Sequence, residues 1–203
     1  MNVKIGCTLR FTAGAWFNSH LIMNNYTTTL KLLTITADHN NQNIALDRVK
    51  YLVEQCLTDT VFICDSETDQ IELLQAAGIG VTVLPEEPVD QVIGMALFSK
   101  FNAIMEGNML VRSILLSSEA GDDIIYEHDS AEDNHPFENT AGWWNNHEPT
   151  HALESAEGEP DNLVILPVGK LWREVGLEWN TDTGIETQEN ILVFAEFKND
   201  KDK

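Results

Sequence analysis

The stretch TVFICDSETDQIELLQAAGIGVTVLPEEP, residues 60–88, restricts the fold of this chain more than any other. It runs from a short apolar segment through a polar turn to Ile71, Leu74 and Ala77 at helical spacing, then through glycines to a second apolar segment. Apolar residues three or four apart mark one face of a helix, and short β-branched runs bounded by glycine or proline mark strands. The order is therefore strand, helix, strand. Such a connection favours a right-handed crossover and a parallel strand pair, while a helix this short leaves an antiparallel pairing open. Either arrangement requires a sheet with helices packed on it.

The flanking segments extend that sheet. DHNNQN opens a helix predicted from about 40 to 57, with Ile44, Ala45, Val49, Leu52, Val53 and Cys56 on one face. PVDQVIGMALFSKFNAIMEGN places Val89, Val92, Ile93, Ala96, Leu97, Phe101 and Ile104 in a second stripe, opened by Pro88 and closed by Gly107. The first 37 residues are rich in β-branched and aromatic types and predict a three-strand meander with turns near Gly14 and at Asn24-Asn25. MLVRSILLSS reads as a strand, and GDDIIYEHDS as its antiparallel return, or a continuation, across a turn at Gly121. Periodicity vanishes from Ala131 to Asp161 and resumes with NLVILPV, a helix-like GKLWREVGLEW whose Trp172 and Trp179 read as core, and ENILVFAEF. With 203 residues, 43% of them hydrophobic, the chain is long enough for one sizeable core. The expected fold is α+β or α/β in a single domain, 1–203: a mixed sheet with an N-terminal β-meander, two to three helices packed on a face, and a long acidic irregular excursion over 118–162.

Charge narrows the function. The chain carries 33 acidic and 12 basic residues, a formal net charge of −21, and has no lysine or arginine between Arg112 and Lys170. A field of this sign opposes attraction to nucleic-acid phosphates and anionic lipid, and no basic patch is interleaved with aromatics. Direct nucleic-acid binding is therefore disfavoured. No apolar window reaches the roughly 18–20 residues of a membrane span, and the amino end lacks a signal-peptide pattern, so the expectation is a cytoplasmic protein. Dense carboxylates without cations repel one another, so they face solvent, bind cations or meet a basic partner. The candidate contact residues are Asp122, Asp123, Glu127, Asp129, Glu132, Asp133 and Glu138, with Trp143 and Trp144 as aromatic anchors. The plainer alternative is a solvated acidic loop whose tryptophans hold it to the sheet. Homo-oligomerisation stays open.

Two segments carry residues suited to chemistry. HDSAEDNHPFENTAGWWNNHEPTH, residues 128–151, holds four of the six histidines: His128, His135, His147 and His151. Its end, HEPTH, spells HExxH, in which two histidines one helical turn apart bind zinc and the glutamate acts as general base. Pro149 stands inside the supposed helix, where it removes a backbone donor and crowds the preceding turn, and the surroundings lack helical periodicity. Loop histidines are the preferred reading, with a zinc or other divalent-metal hydrolase site as the alternative. In CDSETD, Asp65 follows a strand, where a nucleophilic carboxylate or a magnesium site with Glu67 and Asp69 is conceivable. Helix capping by Asp65 or Ser66 explains the same residues, and no phosphate-binding glycine loop accompanies them. GxSxG, Walker and dinucleotide patterns are absent. Cys7, Cys56 and Cys64 are an odd number in apolar settings, expected as free thiols. No catalytic or cofactor-binding residue is assigned.

The segments QNIALDRVKYLVEQCLTDTVFIC, DQVIGMALFSKFNAIMEGNMLVRSILLSSEAGDDI and HPFENTAGWW, spread over residues 40–146, resemble uncharacterised conserved proteins of large T-even-type tailed bacteriophages. The resemblance implies a viral protein made in the bacterial cytoplasm, acting in host takeover or counter-defence, or as a minor virion or assembly component. It brings no catalytic residues. Its further implication is an acidic surface that imitates the charge of DNA to occupy a basic host protein.

Overall fold

The computed structural model describes residues 3–122, 124–138, 141–149 and 170–180. Strands β1 (Lys4–Phe17) and β2 (His20–Thr34) form one long antiparallel hairpin, where the sequence predicts three shorter strands. The turn is Asn18-Ser19, with φ of 49° and 62°. Positive φ at both central residues matches the twist of the flanking strands, and asparagine tolerates it better than most residues. Gly14 and Asn24 lie inside the strands, Gly14 opposite Met23 and Ala13 opposite Asn24. At Gly14 a side chain would crowd Leu21 and Val61, so this glycine permits close packing and makes no turn.

Helix α1 (His39–Tyr51) continues through a π-helical stretch, Leu52–Leu57, in agreement with the predicted 40–57. Asp38 caps it by accepting a hydrogen bond from the Asn40 backbone N–H at 2.8 Å. The strand–helix–strand unit is β3 (Val61–Cys64), α2 (Thr68–Ala76) and β4 (Val81–Leu84), and the strand pair is parallel. Helix α3 (Asp90–Met105) leads into β5 (Met109–Ser118), and β6 (Ile125–Asp129) returns antiparallel to it after a short 3-10 turn at Glu119–Gly121. The six-stranded mixed sheet has the order β4-β3-β1-β2-β5-β6, an α+β architecture.

The three helices do not share a face. Leu9, Phe11, Tyr26, Leu30, Phe62 and Ile114 point to the side where α1 and α3 pack with Leu52, Val53, Leu97, Phe101 and Ile104, forming the main core. Val61 and Ile63 alternate with Phe62 and point the other way, into a smaller cluster with Leu74, Val81, Trp16 and Ile71 under α2. Side chains alternate along a strand, so a crossover helix on the second face needs apolar residues on both sides of its strands. VFIC and VTVL supply them. Trp172 opens a 3-10 turn, Trp172–Val175, and is buried in the main core, as its sequence context predicts. The predicted strands in NLVILPV and ENILVFAEF lie outside the described residues.

Candidate interaction surface

The acidic residues gather at the outer end of the sheet. Glu119 and Asp122 stand on the turn between β5 and β6, Glu127 and Asp129 on β6, and Glu132, Asp133 and Glu138 on the segment that follows. All are exposed except Asp129, which is half-buried; Asp123 lies outside the described residues. Strand β6 is the last of the sheet, so its outer backbone edge has no neighbouring strand among the described residues, and Ile124 and Ile125 beside it are 71% and 62% exposed. Most of these carboxylates are held by local polar groups. Glu119 accepts from the Asn25 amide at 2.9 Å, Asp129 from the Ala131 N–H at 3.0 Å, and Asp133 from the His135 N–H at 3.0 Å. Among the described residues Lys31 alone of the lysines and arginines pairs with this set, at 2.8 Å from Glu127. The charge is thus ordered in position and nearly unneutralised.

Trp143 and Trp144 are not on that surface. Both are buried, which corrects the expectation that they reach a partner and supports the plainer alternative. Trp144 packs edge-on against Phe137 and Trp143, with ring centroids 5.1 and 6.0 Å away, and all three join the main core. Trp143 Nε1 donates to the Val83 carbonyl at 2.8 Å, tying the excursion to β4, the opposite edge of the sheet. The middle of the excursion is therefore fastened inward, while its beginning faces solvent.

The histidines are dispersed in role. His128 on β6 is 1% exposed, packs edge-on against Phe98 of α3 at 4.8 Å, and places Nδ1 3.2 Å from Glu132. His135 is exposed, His147 has an exposed ring 3.7 Å from Glu148, and His151 lies outside the described residues. Among the described residues no group of three or more histidine, cysteine, aspartate or glutamate side chains is placed to hold a metal ion. HEPTH begins in an irregular segment, as Pro149 suggests, so His147 and Glu148 do not stand on a zinc-binding helix. Asp65 is exposed after β3 and does not cap α2, whose preceding residue is Glu67 with no side-chain cap.

What grips the HEPTH segment is a pair of buried cations that the sequence reading passes over. Lys100, fully buried on α3, donates from Nζ to the carbonyls of Asn146 at 2.7 Å and Glu148 at 2.6 Å. Burial pushes its ammonium down to about 7, against the smaller raising influence of Cys56 and Glu148. Cys56, buried on the neighbouring helix, is pushed up to about 11 by the same loss of solvent. Arg48 on α1 donates from Nε to the Leu177 carbonyl at 2.9 Å and from Nη1 to Glu106 at 2.6 Å, and its guanidinium lies 3.7 Å from the Trp179 ring and 4.6 Å from that of Trp172. Trp172 in turn donates from Nε1 to the His147 carbonyl at 2.5 Å. The signal for both cations was present: Arg48 stands between Ala45 and Leu52, and Lys100 between Leu97 and Ile104, each at an apolar-stripe position of its helix. A segment without lysine or arginine takes its nitrogen donors from the helices beneath it.

Among the described residues no helix is long and apolar enough to cross a membrane. No family model matches the chain, and no curated protein matches it by sequence. Solved structures with a similar backbone include an uncharacterised protein from Wolinella succinogenes, at TM-score 0.48 and 12% identity over 64% of this chain and 99% of that one. They also include the 6-pyruvoyl tetrahydropterin synthase of Plasmodium vivax, at TM-score 0.41 and 9% identity over 63% of this chain and 97% of that one. The corresponding synthase of Plasmodium falciparum gives a TM-score of 0.39 and 12% identity over 63% and 96%. Likeness at this level transfers no residue role to this chain.

Proposed function

We propose that this chain is an acidic, non-enzymatic protein that binds a basic or nucleic-acid-binding protein through the region beginning at Glu119. One observation supports this reading above the others: Glu119, Asp122, Glu127, Asp129, Glu132, Asp133 and Glu138 line the β5–β6 turn, the last strand and the segment after it, with Lys31 their one pairing lysine or arginine among the described residues. Carboxylates held in place by local N–H groups present a fixed pattern of charge, and such a pattern speeds encounter with a basic surface and selects among partners. The buried tryptophans cannot serve as contact anchors, so association rests on charge, with Ile124 and Ile125 as its exposed apolar component. In line with the phage resemblance, the partner is a bacterial host protein met in the cytoplasm, and the acidic face stands in for the phosphates that partner normally grips. Pull-down from bacterial lysate at low and moderate salt tests this. A basic protein retained at low salt and released at moderate salt is expected, with capture lost when Glu119, Asp122, Glu127 and Asp129 are changed to their amides. Absence of any salt-sensitive partner, or capture that survives those changes, sinks the reading.

A further inference from the structure

Where the acidic segment crosses α3 it leaves a cleft of about 300 Å³. Phe98 and Ser99 of α3 line one side, and Ser130, Glu132, Asn134 and Glu138 line the other; among the described residues no lysine or arginine takes part. Asn134 is 5% exposed and donates from Nδ2 to Ser99 Oγ at 2.5 Å, while its Oδ1 is buried and accepts from no donor among the described residues. A buried acceptor without a donor carries a free-energy cost that an entering donor would relieve. Glu132 and Glu138 stand at the rim with exposed carboxylates.

We propose that this cleft receives the guanidinium group of an arginine side chain from the basic partner, an inference that rests on the acidic binding role and gives it a specific contact. The chemistry matches in three respects. Guanidinium offers five donors and no acceptor, and the cleft presents two carboxylates and two hydroxyls, with the Asn134 amide oxygen buried in its wall. Guanidinium is weakly hydrated and tolerates an apolar wall, which Phe98 supplies, whereas a lysine ammonium is a compact and strongly hydrated charge. The space far exceeds that of a bare metal ion, and no group of three metal-ligating side chains stands there among the described residues.

The test is a nuclear magnetic resonance titration of the full chain with N-acetyl-arginine amide, against the citrulline and lysine analogues. Saturable shifts of the Asn134 side-chain amide and of residues 130–138 are expected with arginine, weaker ones with lysine and none with citrulline, which has nearly the same shape but no charge. In the double variant Glu132→Gln with Glu138→Gln, whose changed side chains are exposed, binding falls about tenfold, the product of two modest contributions from half-solvated carboxylates. An unchanged amide spectrum elsewhere shows that the variant is folded. Equal shifts with citrulline or lysine, arginine shifts confined to residues 119–129, or undiminished binding by the double variant would overturn the assignment. The two readings fail separately. Salt-sensitive capture of a basic protein by the double variant at wild-type strength removes the cleft and leaves the acidic surface standing, while arginine binding in the cleft without any lysate partner does the reverse.

Discussion

At Lys100 a single buried charge gives stability a pH dependence of known sign. The unfolded chain keeps this lysine protonated to its ordinary value near 10.4, whereas the folded protein releases the proton at about 7. Between those limits the unfolded state binds more protons, so this group favours folding increasingly as pH rises from about 7 to 10. Burial of the charged form is the cost, present in full below pH 7. Lys100→Met removes the dependence: between pH 7 and 9 the wild type should gain about 2 kcal/mol on the variant, read from urea midpoints of both proteins at each pH. Gly142 sets a second constraint at the same scale. A Cβ there would overlap the Trp144 ring, which Phe137 and Trp143 hold in the core. Gly142→Ala should therefore cost about 1–3 kcal/mol through overpacking, measured by chemical denaturation, although its extended backbone suits any residue.

At the scale of elements, the described segments 141–149 and 170–180 are fastened to the sheet and helices at several points. Trp143 ties the first to β4, Lys100 ties residues 146 and 148 to α3, and Arg48 ties Leu177 to α1. Arg48→Met leaves the Leu177 carbonyl and Glu106 without their donor and removes the cation from beside two indole rings. We expect a loss of about 2–3 kcal/mol, since Glu106 is partly solvated, and a red shift of Trp172 and Trp179 emission as residues 170–180 loosen. The helix over 40–57 and the order strand, helix, strand follow from local periodicity and punctuation, whereas the parallel pairing of β3 with β4 and the antiparallel return of β6, both left open by residue order, are decided by the sheet. The N-terminal hairpin was misread because Asn18-Ser19 is a weak turn signal while Gly14 and Asn24-Asn25 are strong ones, and long-range pairing decides between them. The placement of α2 opposite α1 and α3 was equally hidden, because VFIC and VTVL are apolar on both sides and periodicity alone assigns no face.

For the whole molecule, polarity of charge is the feature on which the proposed binding rests. Association carried by exposed carboxylates is screened by salt, so affinity for a basic partner should fall between 0.05 and 0.5 M salt, where the screening length shrinks from roughly 14 to roughly 4 Å. Calorimetry or surface-based binding against the captured protein checks this. Neutralising Glu119, Asp122, Glu127 and Asp129 should slow association more than it speeds dissociation, because exposed rim charges act mainly through encounter. A zinc requirement would show as stoichiometric metal in protein purified without a histidine tag, with His151, outside the described residues, as the ligand left to examine.

Sequence by itself determined the fold class, the strand–helix–strand unit, the amphipathic helices and the one-sided charge, because each of these is written in neighbouring residues: period, turn chemistry, and a count of ionisable groups. Only tertiary structure decided which described side chains of 128–149 turn inward and which face solvent. Three histidines, two tryptophans and a run of carboxylates are compatible with a metal site, a contact surface or a loop until their surroundings are known. Burial then separates them: the tryptophans, Phe137 and His128 turn inward, the carboxylates turn outward, and Lys100 holds the carbonyls of the HEPTH segment from below. The physical reason is that a side chain's role depends on the dielectric and the partners around it, and these are supplied by residues of α1 and α3 that lie far away in the chain.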